Sequence, residues 1–80
     1  MQENEIKQMI EAGISSCEAF VSGDGTHFEA VVISGQFKDK SLVERHRLVY
    51  SSLGNSFQDA LHALSIRPFT PEEWKEKENT

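Results

Sequence analysis

The sequence is poor in cysteine and in basic residues, and each shortage excludes a class of protein. Its 80 residues include one cysteine, Cys17, so neither an internal disulfide nor a zinc site built from several cysteines can form. Eight Lys and Arg stand against thirteen Asp and Glu, giving a net charge of −5. This argues against general affinity for nucleic acid, because phosphate binding depends on clustered cations. No apolar run reaches membrane-spanning length, and residues 1–5 are polar, unlike a signal peptide. We therefore expect a cytoplasmic protein that does not contact a membrane.

Local patterns predict six elements in the order α-β-β-α-β-α within one domain that spans residues 1–80. Ser41 followed by Glu44 has the spacing of a capping box, in which two side chains bond the backbone at a helix start. Thr70, Pro71 and Glu73 form a second helix start of the same kind. The predicted helices cover residues 4–12, 42–53 and 71 onward, with 75–80 as a frayed tail, and the predicted strands cover residues 17–22, 27–34 and 61–67.

The predicted topology brings two histidines to one edge of a three-stranded mixed sheet. A short turn joins the first two strands into an antiparallel hairpin, and the second helix then connects strand two to a parallel strand three. His27 begins strand two and His62 begins strand three, so both imidazoles should lie at the same rim. Such a pair could bind a metal if a partner supplied further ligands. The alternative is that both are ordinary histidines at strand ends.

Other residues capable of chemistry have simpler interpretations. His46 lies on the face of the second helix that carries Leu42, Val49 and Leu53, and we expect it in the core or at the core edge with a neighbouring partner. Cys17 has no basic neighbour in sequence to lower its pKa, so we expect a buried small hydrophobic residue.

Two further motifs resemble ligand sites only superficially. Arg45 and Arg47 are either a small anion-binding patch or solvated charges, and the second interpretation is favoured. The stretch Gly23-Asp24-Gly25 is too short for a phosphate-binding loop, lacks a lysine and carries an acid, and is interpreted as a turn. No catalytic arrangement emerges from the sequence. We also expect Phe37 and Trp74 to anchor their segments on the body of the domain.

Several motifs together resemble the BolA family over almost the whole chain, and the Gly-Asp-Gly-Thr-His-Phe loop is most similar to the bacterial IbaG branch. Each motif alone is weak, whereas the set is specific. The motifs are Ser22-Gly23-Asp24-Gly25-Thr26-His27-Phe28, Val31-Val32-Ile33-Ser34, Phe37, Leu42-Val43, Arg45-His46-Arg47-Leu48-Val49-Tyr50, Leu61-His62-Ala63-Leu64-Ser65-Ile66 and Thr70-Pro71-Glu72-Glu73-Trp74.

This resemblance implies an α/β (α+β) fold related to the class II KH domain, and a non-enzymatic role beside monothiol glutaredoxins of the Cys-Gly-Phe-Ser type. In such heterodimers a [2Fe–2S] cluster is held by the glutaredoxin cysteine, the thiol of glutathione and ligands from the BolA side. His62 matches the family's near-invariant histidine ligand. The second ligand, a His or Cys, comes from the loop before strand two, where His27 is the candidate. Asp24 stands roughly where some relatives carry the cysteine, which is a departure from their pattern.

The implied role is iron–sulfur cluster trafficking or regulation of iron and redox state, and two other functions stay open. A nucleic-acid-binding regulator is favoured by the KH-like fold and by the family's link to stress and morphology transcription. Its DNA contacts would come from Arg45, Arg47, Lys38 and Lys40. The negative net charge and the lack of a Gly-x-x-Gly backbone clamp argue against it. The third function is an adaptor that binds glutaredoxin without metal.

Overall fold

The computed structural model describes residues 2–54 and 63–78, and the elements in these two ranges follow the predicted order. The strand order is β1-β2-β3, with β1 antiparallel and β3 parallel to the central β2, which confirms the mixed sheet. No helix in the described ranges is long and apolar enough to cross a bilayer. The elements are α1 (Glu3–Gly13), β1 (Cys17–Gly23), β2 (Phe28–Ser34), a 3-10 helix (Gly35–Phe37), α2 (Leu42–Leu53), β3 (Leu64–Phe69) and α3 (Pro71–Glu78).

The pairing register determines which chain segments meet at one edge of the sheet. Phe28, the first residue of β2, lies opposite Gly23 on one side and Leu64 on the other. Because β1 runs antiparallel and β3 parallel to β2, the end of β1 and the start of β3 flank the start of β2. The β1–β2 loop and the beginning of β3 are therefore neighbours at this edge.

The hydrophobic core lies between one face of the sheet and helices α1 and α2. Alternate residues of each strand point to this face, and apolar residues four apart in α1 meet them. Gly13, at the end of α1, permits a close approach of the helices, since a Cβ there would lie 2.6 Å from the Ser52 Cβ. The buried apolar residues are Ile6, Ile10, Ile14, Ala19, Phe28, Ala30, Val32, Phe37, Val49, Leu53, Leu64 and Ile66.

The opposite face of the sheet is covered in part by aromatic side chains of α3 and its neighbours. The Trp74 ring lies 5.3 Å from the Phe69 ring and 6.4 Å from the Phe20 ring, centroid to centroid. Trp74 thus packs back on the body, as predicted, and Phe37 is fully buried, also as predicted. The two anchors lie on different parts of the domain, so each holds its own segment.

The ends of β3 and α3 differ most from the sequence prediction, and β2 begins at Phe28 instead of His27. The described part of β3 begins at Leu64 and continues through Pro68 to Phe69, whereas the prediction ended it before the proline. The sheet tolerates a residue without an N–H there because β3 is an edge strand. The predicted start of this strand, residues 61–62, lies outside the described residues. The third helix extends to Glu78, whereas the sequence predicts a frayed tail from Lys75 onward.

Leu42 was placed on the buried face of α2, and the structure corrects this placement. The side of α2 that packs inward carries Arg45, Val49 and Leu53, whereas Leu42 is 63% exposed and Val43 is 60% exposed. Helical periodicity alone places Leu42 on that face, but the packed layer does not extend to the first turn of the helix. The bounds of α2 and its capping box are confirmed, because Glu44 N–H donates to Ser41 Oγ and Ser41 N–H donates to Glu44 Oε1.

Arg45 is not a solvated charge, contrary to the favoured interpretation of the sequence. It is only 9% exposed, and its guanidinium makes two bonds to the Glu73 carboxylate, of 2.7 Å and 3.2 Å. Its Nε–H donates to the Lys40 carbonyl at 3.0 Å, and the guanidinium carbon lies 5.9 Å from the centre of the Phe37 ring. Sequence spacing could not reveal this contact, because its two partners lie 28 positions apart.

Glu73 serves two segments at once. Its Oε1 accepts from the Thr70 N–H at 2.9 Å, and Thr70 Oγ1 accepts from the Glu73 N–H, which confirms the predicted helix start. The hydrogen bonds from Arg45 and then from Thr70 lower the pKa of Glu73 below the ordinary value of 4.5. The same carboxylate therefore caps α3 and ties it to α2.

The outer edge of β1 is closed by a pair of side chains from α1. Lys7 Nζ and Glu11 Oε2 lie 2.8 Å apart as an ion pair one helical turn apart. Lys7 also donates to the Ala19 carbonyl at 2.6 Å, and Glu11 accepts from the Ala19 N–H at 3.0 Å. Both backbone groups of Ala19 are thereby satisfied by side chains. The hydrogen bond from Lys7, and next the one from Ala19, lower the pKa of Glu11.

Replacing Glu11 with alanine should expose the Ala19 amide to exchange. Since that N–H is bonded to the Glu11 carboxylate, its hydrogen exchange should accelerate by about fivefold, the effect of losing a hydrogen bond worth about 1 kcal/mol. Residue-resolved hydrogen exchange by NMR measures this. Glu18→Ala, the same charge change at an exposed position of β1, is the control and should leave the Ala19 amide unchanged. Equal acceleration in both variants would contradict the assignment.

Breaking the Arg45–Glu73 link should destabilise the domain and change its acid sensitivity. We expect Arg45→Ala to cost about 1–2 kcal/mol of unfolding free energy, and Glu73→Gln about 0.5 kcal/mol, since solvent screens the half-exposed carboxylate. A carboxylate with a lowered pKa stabilises the fold above its unfolded pKa, and this contribution disappears as the pH falls through the folded pKa.

Denaturant titrations over a range of pH test this expectation. Below the ordinary glutamate pKa of 4.5, the stability of Glu73→Gln should fall less steeply with pH than that of the unsubstituted chain. Glu72→Gln makes the same charge change in the same helical turn and should retain the steeper fall. If the Glu73→Gln and Glu72→Gln profiles coincide, the link carries no measurable part of the acid sensitivity.

Candidate functional site

The loop between β1 and β2 is a tight hairpin organised by one carboxylate. Asp24 N–H donates to the His27 carbonyl at 3.1 Å. In return, Asp24 Oδ1 accepts from the His27 N–H at 2.8 Å and from the Thr26 N–H at 2.9 Å. These bonds, from His27 and then Thr26, lower the pKa of the Asp24 carboxyl, which stays ionised at neutral pH. The predicted turn is confirmed, with Gly25 and Thr26 at its tip.

Two glycines make this hairpin possible for different reasons. Gly25 has a φ of +91°, in the region where side chains are strained. Gly23 sits against the chain that leaves the loop, since a Cβ there would lie 2.6 Å from the His27 carbonyl oxygen and 2.5 Å from Phe28 Cδ1. The backbone of His27 is therefore confined by contacts as well as by hydrogen bonds.

His27 is exposed and directly precedes Phe28, the first residue of β2. The neighbouring parallel strand β3 begins at Leu64, two positions after His62 in the sequence. The topology on which the histidine pair was predicted is thus confirmed, because the two parallel strands begin at one edge. His62 itself lies outside the described residues, so the meeting of the two imidazoles stays a prediction.

The described side chains near the hairpin include one imidazole that could ligate a metal, that of His27. Within residues 2–54 and 63–78, no three His, Cys, Asp or Glu side chains come together to hold a metal ion. His27 offers an exposed imidazole on a well-bonded loop, and imidazole is a common ligand for iron and other transition metals. Further ligands would have to come from His62 or from another molecule.

Cys17 is not part of this site. It begins β1 opposite Ser34, whereas Gly23 ends the strand beside the hairpin, and six residues of extended chain separate the two by about 20 Å. Burial, and next the charge of Glu11, raise the pKa of the Cys17 thiol to about 11. The side chain packs against the core but is only partly buried, so the predicted packing role is confirmed and the predicted burial holds only in part.

His46 behaves as predicted, at the edge of the core with a neighbouring partner. It is half-buried, and its Nδ1–H donates to the Leu42 carbonyl one turn earlier, with 2.7 Å between the heavy atoms. Its ring lies 6.4 Å from the Tyr50 ring, centroid to centroid. His46 belongs to the middle of the α2 surface, whereas His27 lies in the loop before β2.

Of the four basic residues proposed for DNA contact, one is bonded to an acidic side chain in the structure. Arg45 is engaged with Glu73, as described above. Lys38 and Lys40 belong to the connection before α2, and Arg47 is exposed on that helix. A shallow groove of about 430 Å³ beside Lys40 is also lined by Glu73 and Glu76, whose charges oppose phosphate. A nucleic-acid role for these residues stays a prediction.

The organising role of Asp24 was not predicted. In the sequence, Asp24 is interpreted as an acid that argues against phosphate binding and as a departure from relatives that carry a cysteine there. An aspartate two and three positions before backbone N–H groups in a turn is a recognised local pattern, in which the side chain bonds the backbone. That signal was available in Asp24-Gly25-Thr26-His27 and predicts the observed bonds.

Comparisons with known proteins agree with this fold. The sequence matches the family described as BolA-like protein over residues 4–73. It is 37% identical to the acid stress protein IbaG of Escherichia coli K12, over 92% of this chain and 89% of that protein. The DNA-binding transcriptional regulator BolA of Haemophilus influenzae is 40% identical over 72% of this chain and 56% of that protein. A bolA homologue from Coxiella burnetii, of known structure, superposes with a TM-score of 0.84 and 43% identity, covering 94% of this chain and 97% of that one. The chain therefore belongs to the BolA family and is similar to its IbaG branch.

Proposed function

We propose that this chain is a non-enzymatic cytoplasmic partner of monothiol Cys-Gly-Phe-Ser glutaredoxins, with which it shares a [2Fe–2S] cluster. The observation that carries the proposal is the exposed His27, held by a bonded hairpin at the edge where β2 and β3 both begin. Membership of the BolA family supports the same role. The chain acts in iron–sulfur cluster trafficking or in the regulation of iron and redox state.

In this role His62 and His27 supply the ligands from this chain, and the glutaredoxin cysteine and glutathione supply thiolates. A cluster bound by imidazole in place of thiolate carries less negative charge and has a higher reduction potential. Protons compete with the metal for the imidazole nitrogen, so a histidine ligand loses its hold on the cluster as the pH falls.

Removing His62 should abolish the mixed cluster. When the chain is mixed with a Cys-Gly-Phe-Ser glutaredoxin and glutathione, and iron and sulfide are reconstituted anaerobically, the visible circular dichroism should differ from that of the glutaredoxin homodimer. His62→Ala should restore the homodimer spectrum because its imidazole is the expected principal ligand. His27→Ala should lower the apparent affinity for the mixed complex by about 10-fold or more, because losing even a group that orients a metal ligand has an effect of this size.

His46→Ala is the matched control, since it removes an imidazole that bonds within α2 and should keep the mixed spectrum. A mixed spectrum unchanged in His62→Ala would refute His62 as a cluster ligand. If the spectrum with the unsubstituted chain equalled that of the glutaredoxin homodimer while the chain still captured glutaredoxin in a pull-down, the metal-free adaptor would be the better description.

A nucleic-acid-binding function is the second candidate, and one observation favours it: the H. influenzae relative is a DNA-binding transcriptional regulator. In this chain the charges oppose it, since the net charge is −5 and Arg45 is bonded to Glu73. Contacts with phosphate would be left to Lys38, Lys40 and Arg47.

A salt titration of duplex binding separates this candidate from the first. We expect no measurable affinity for mixed-sequence DNA, even at about 20 mM salt, where phosphate contacts are strongest. Binding that weakens with salt, and whose slope decreases by about 1 in each of Lys38→Gln and Lys40→Gln, would instead establish these residues as phosphate contacts. Lys75→Gln on α3 is the control for the charge change.

A further inference from the structure

We infer that Asp24 is a positioning residue for His27: its Oδ1 fixes the backbone from which the imidazole is presented to a shared metal centre. The inference rests on the proposed function for the role of His27, and on the described geometry for everything else. Asp24 itself is not assigned as a ligand, because the oxygen Oδ1 already accepts two backbone N–H groups.

Both backbone polar groups of His27 are bonded to the same residue. The His27 N–H donates to Asp24 Oδ1 at 2.8 Å, and the His27 carbonyl accepts from the Asp24 N–H at 3.1 Å. In an ordinary hairpin the N–H at the position of His27 donates to a backbone carbonyl. Here it donates to the Asp24 side chain instead. Rotation of the His27 backbone would therefore break bonds to Asp24 at both ends of the residue.

Packing restricts the same backbone from the side. The His27 carbonyl approaches Gly23 so closely that a Cβ there would lie 2.6 Å from its oxygen, so the loop packs directly on the end of β1. Thr26, the residue before His27, is bonded to Asp24 Oδ1 as well. The carboxylate thus holds two consecutive amides, and the imidazole moves only about its own side-chain torsions. Prior ordering of this kind reduces the entropy that metal binding must overcome.

The assignment makes the hydrogen-bond acceptor, and not the negative charge, the essential property of Asp24. An asparagine keeps an oxygen at the same position and loses the charge, whereas alanine loses both. Asp24→Asn should therefore behave like the unsubstituted chain, and Asp24→Ala should not. This pair of variants distinguishes positioning from an electrostatic effect and from direct ligation by the carboxylate.

The first experiment uses the free chain and needs no cluster. Amide exchange at Thr26 and His27 should accelerate about 10-fold in Asp24→Ala and stay within about threefold in Asp24→Asn, because the amide oxygen still accepts both bonds. Asp39→Asn, at an exposed position before α2, controls for the lost charge and should change neither amide. Unchanged exchange at His27 in Asp24→Ala would overturn the inference whatever the function of the chain.

The second experiment uses the reconstituted complex with glutaredoxin and glutathione. Asp24→Ala should lower the apparent affinity for the mixed complex by about 10-fold to 100-fold, as the loss of a group that orients a ligand does, and Asp24→Asn should restore it. Equal losses in Asp24→Ala and Asp24→Asn would overturn the inference in favour of charge or ligation. If exchange responds as expected while His27→Ala leaves the mixed spectrum intact, the ligand role of His27 fails, and with it the metal-directed role of Asp24.

Discussion

The arrangement of this domain depends on the double pairing of β2. This strand bonds to β1 in the antiparallel sense and to β3 in the parallel sense, and it contributes four buried residues to the core. The opposite directions of its neighbours bring a hairpin loop and the beginning of a strand to one edge. A sheet of three consecutive antiparallel strands would place these two segments at opposite ends. The candidate site follows from this pairing before any side chain is considered.

A domain of this size cannot rely on apolar burial alone, because small chains bury a smaller share of their surface. Polar side chains complete the fold at three points. Arg45 joins α2 to α3 through Glu73, Lys7 and Glu11 attach α1 to β1, and Asp24 closes the hairpin. In each case a side chain forms hydrogen bonds with backbone N–H or C=O groups that the helices and strands leave unpaired.

Most of the fold was predictable because its signals are local. The capping boxes at Ser41 and Thr70 determine where α2 and α3 begin, and both helices begin at the predicted residues. The end of β3 at Phe69 and the burial of Arg45 were not predictable, since they depend on the edge position of one strand and on a partner 28 positions away. Of the candidate site, the sequence indicated His27 and the shared edge, and it missed the carboxylate that holds the loop. His62 lies outside the described residues, and its assignment as a ligand depends on the family resemblance.

The contact of α1 with Ala19 also affects whether copies of this chain can associate through the edge of β1. An outer strand exposes alternate N–H and C=O groups that another extended chain can use as a template, and such growth leads to aggregation. In β1 the N–H and C=O groups of Ala19, the third of seven residues, are already hydrogen-bonded to Glu11 and Lys7. An incoming strand would have to displace an ion pair before it could add, so the helix that completes the core also limits the width of the sheet.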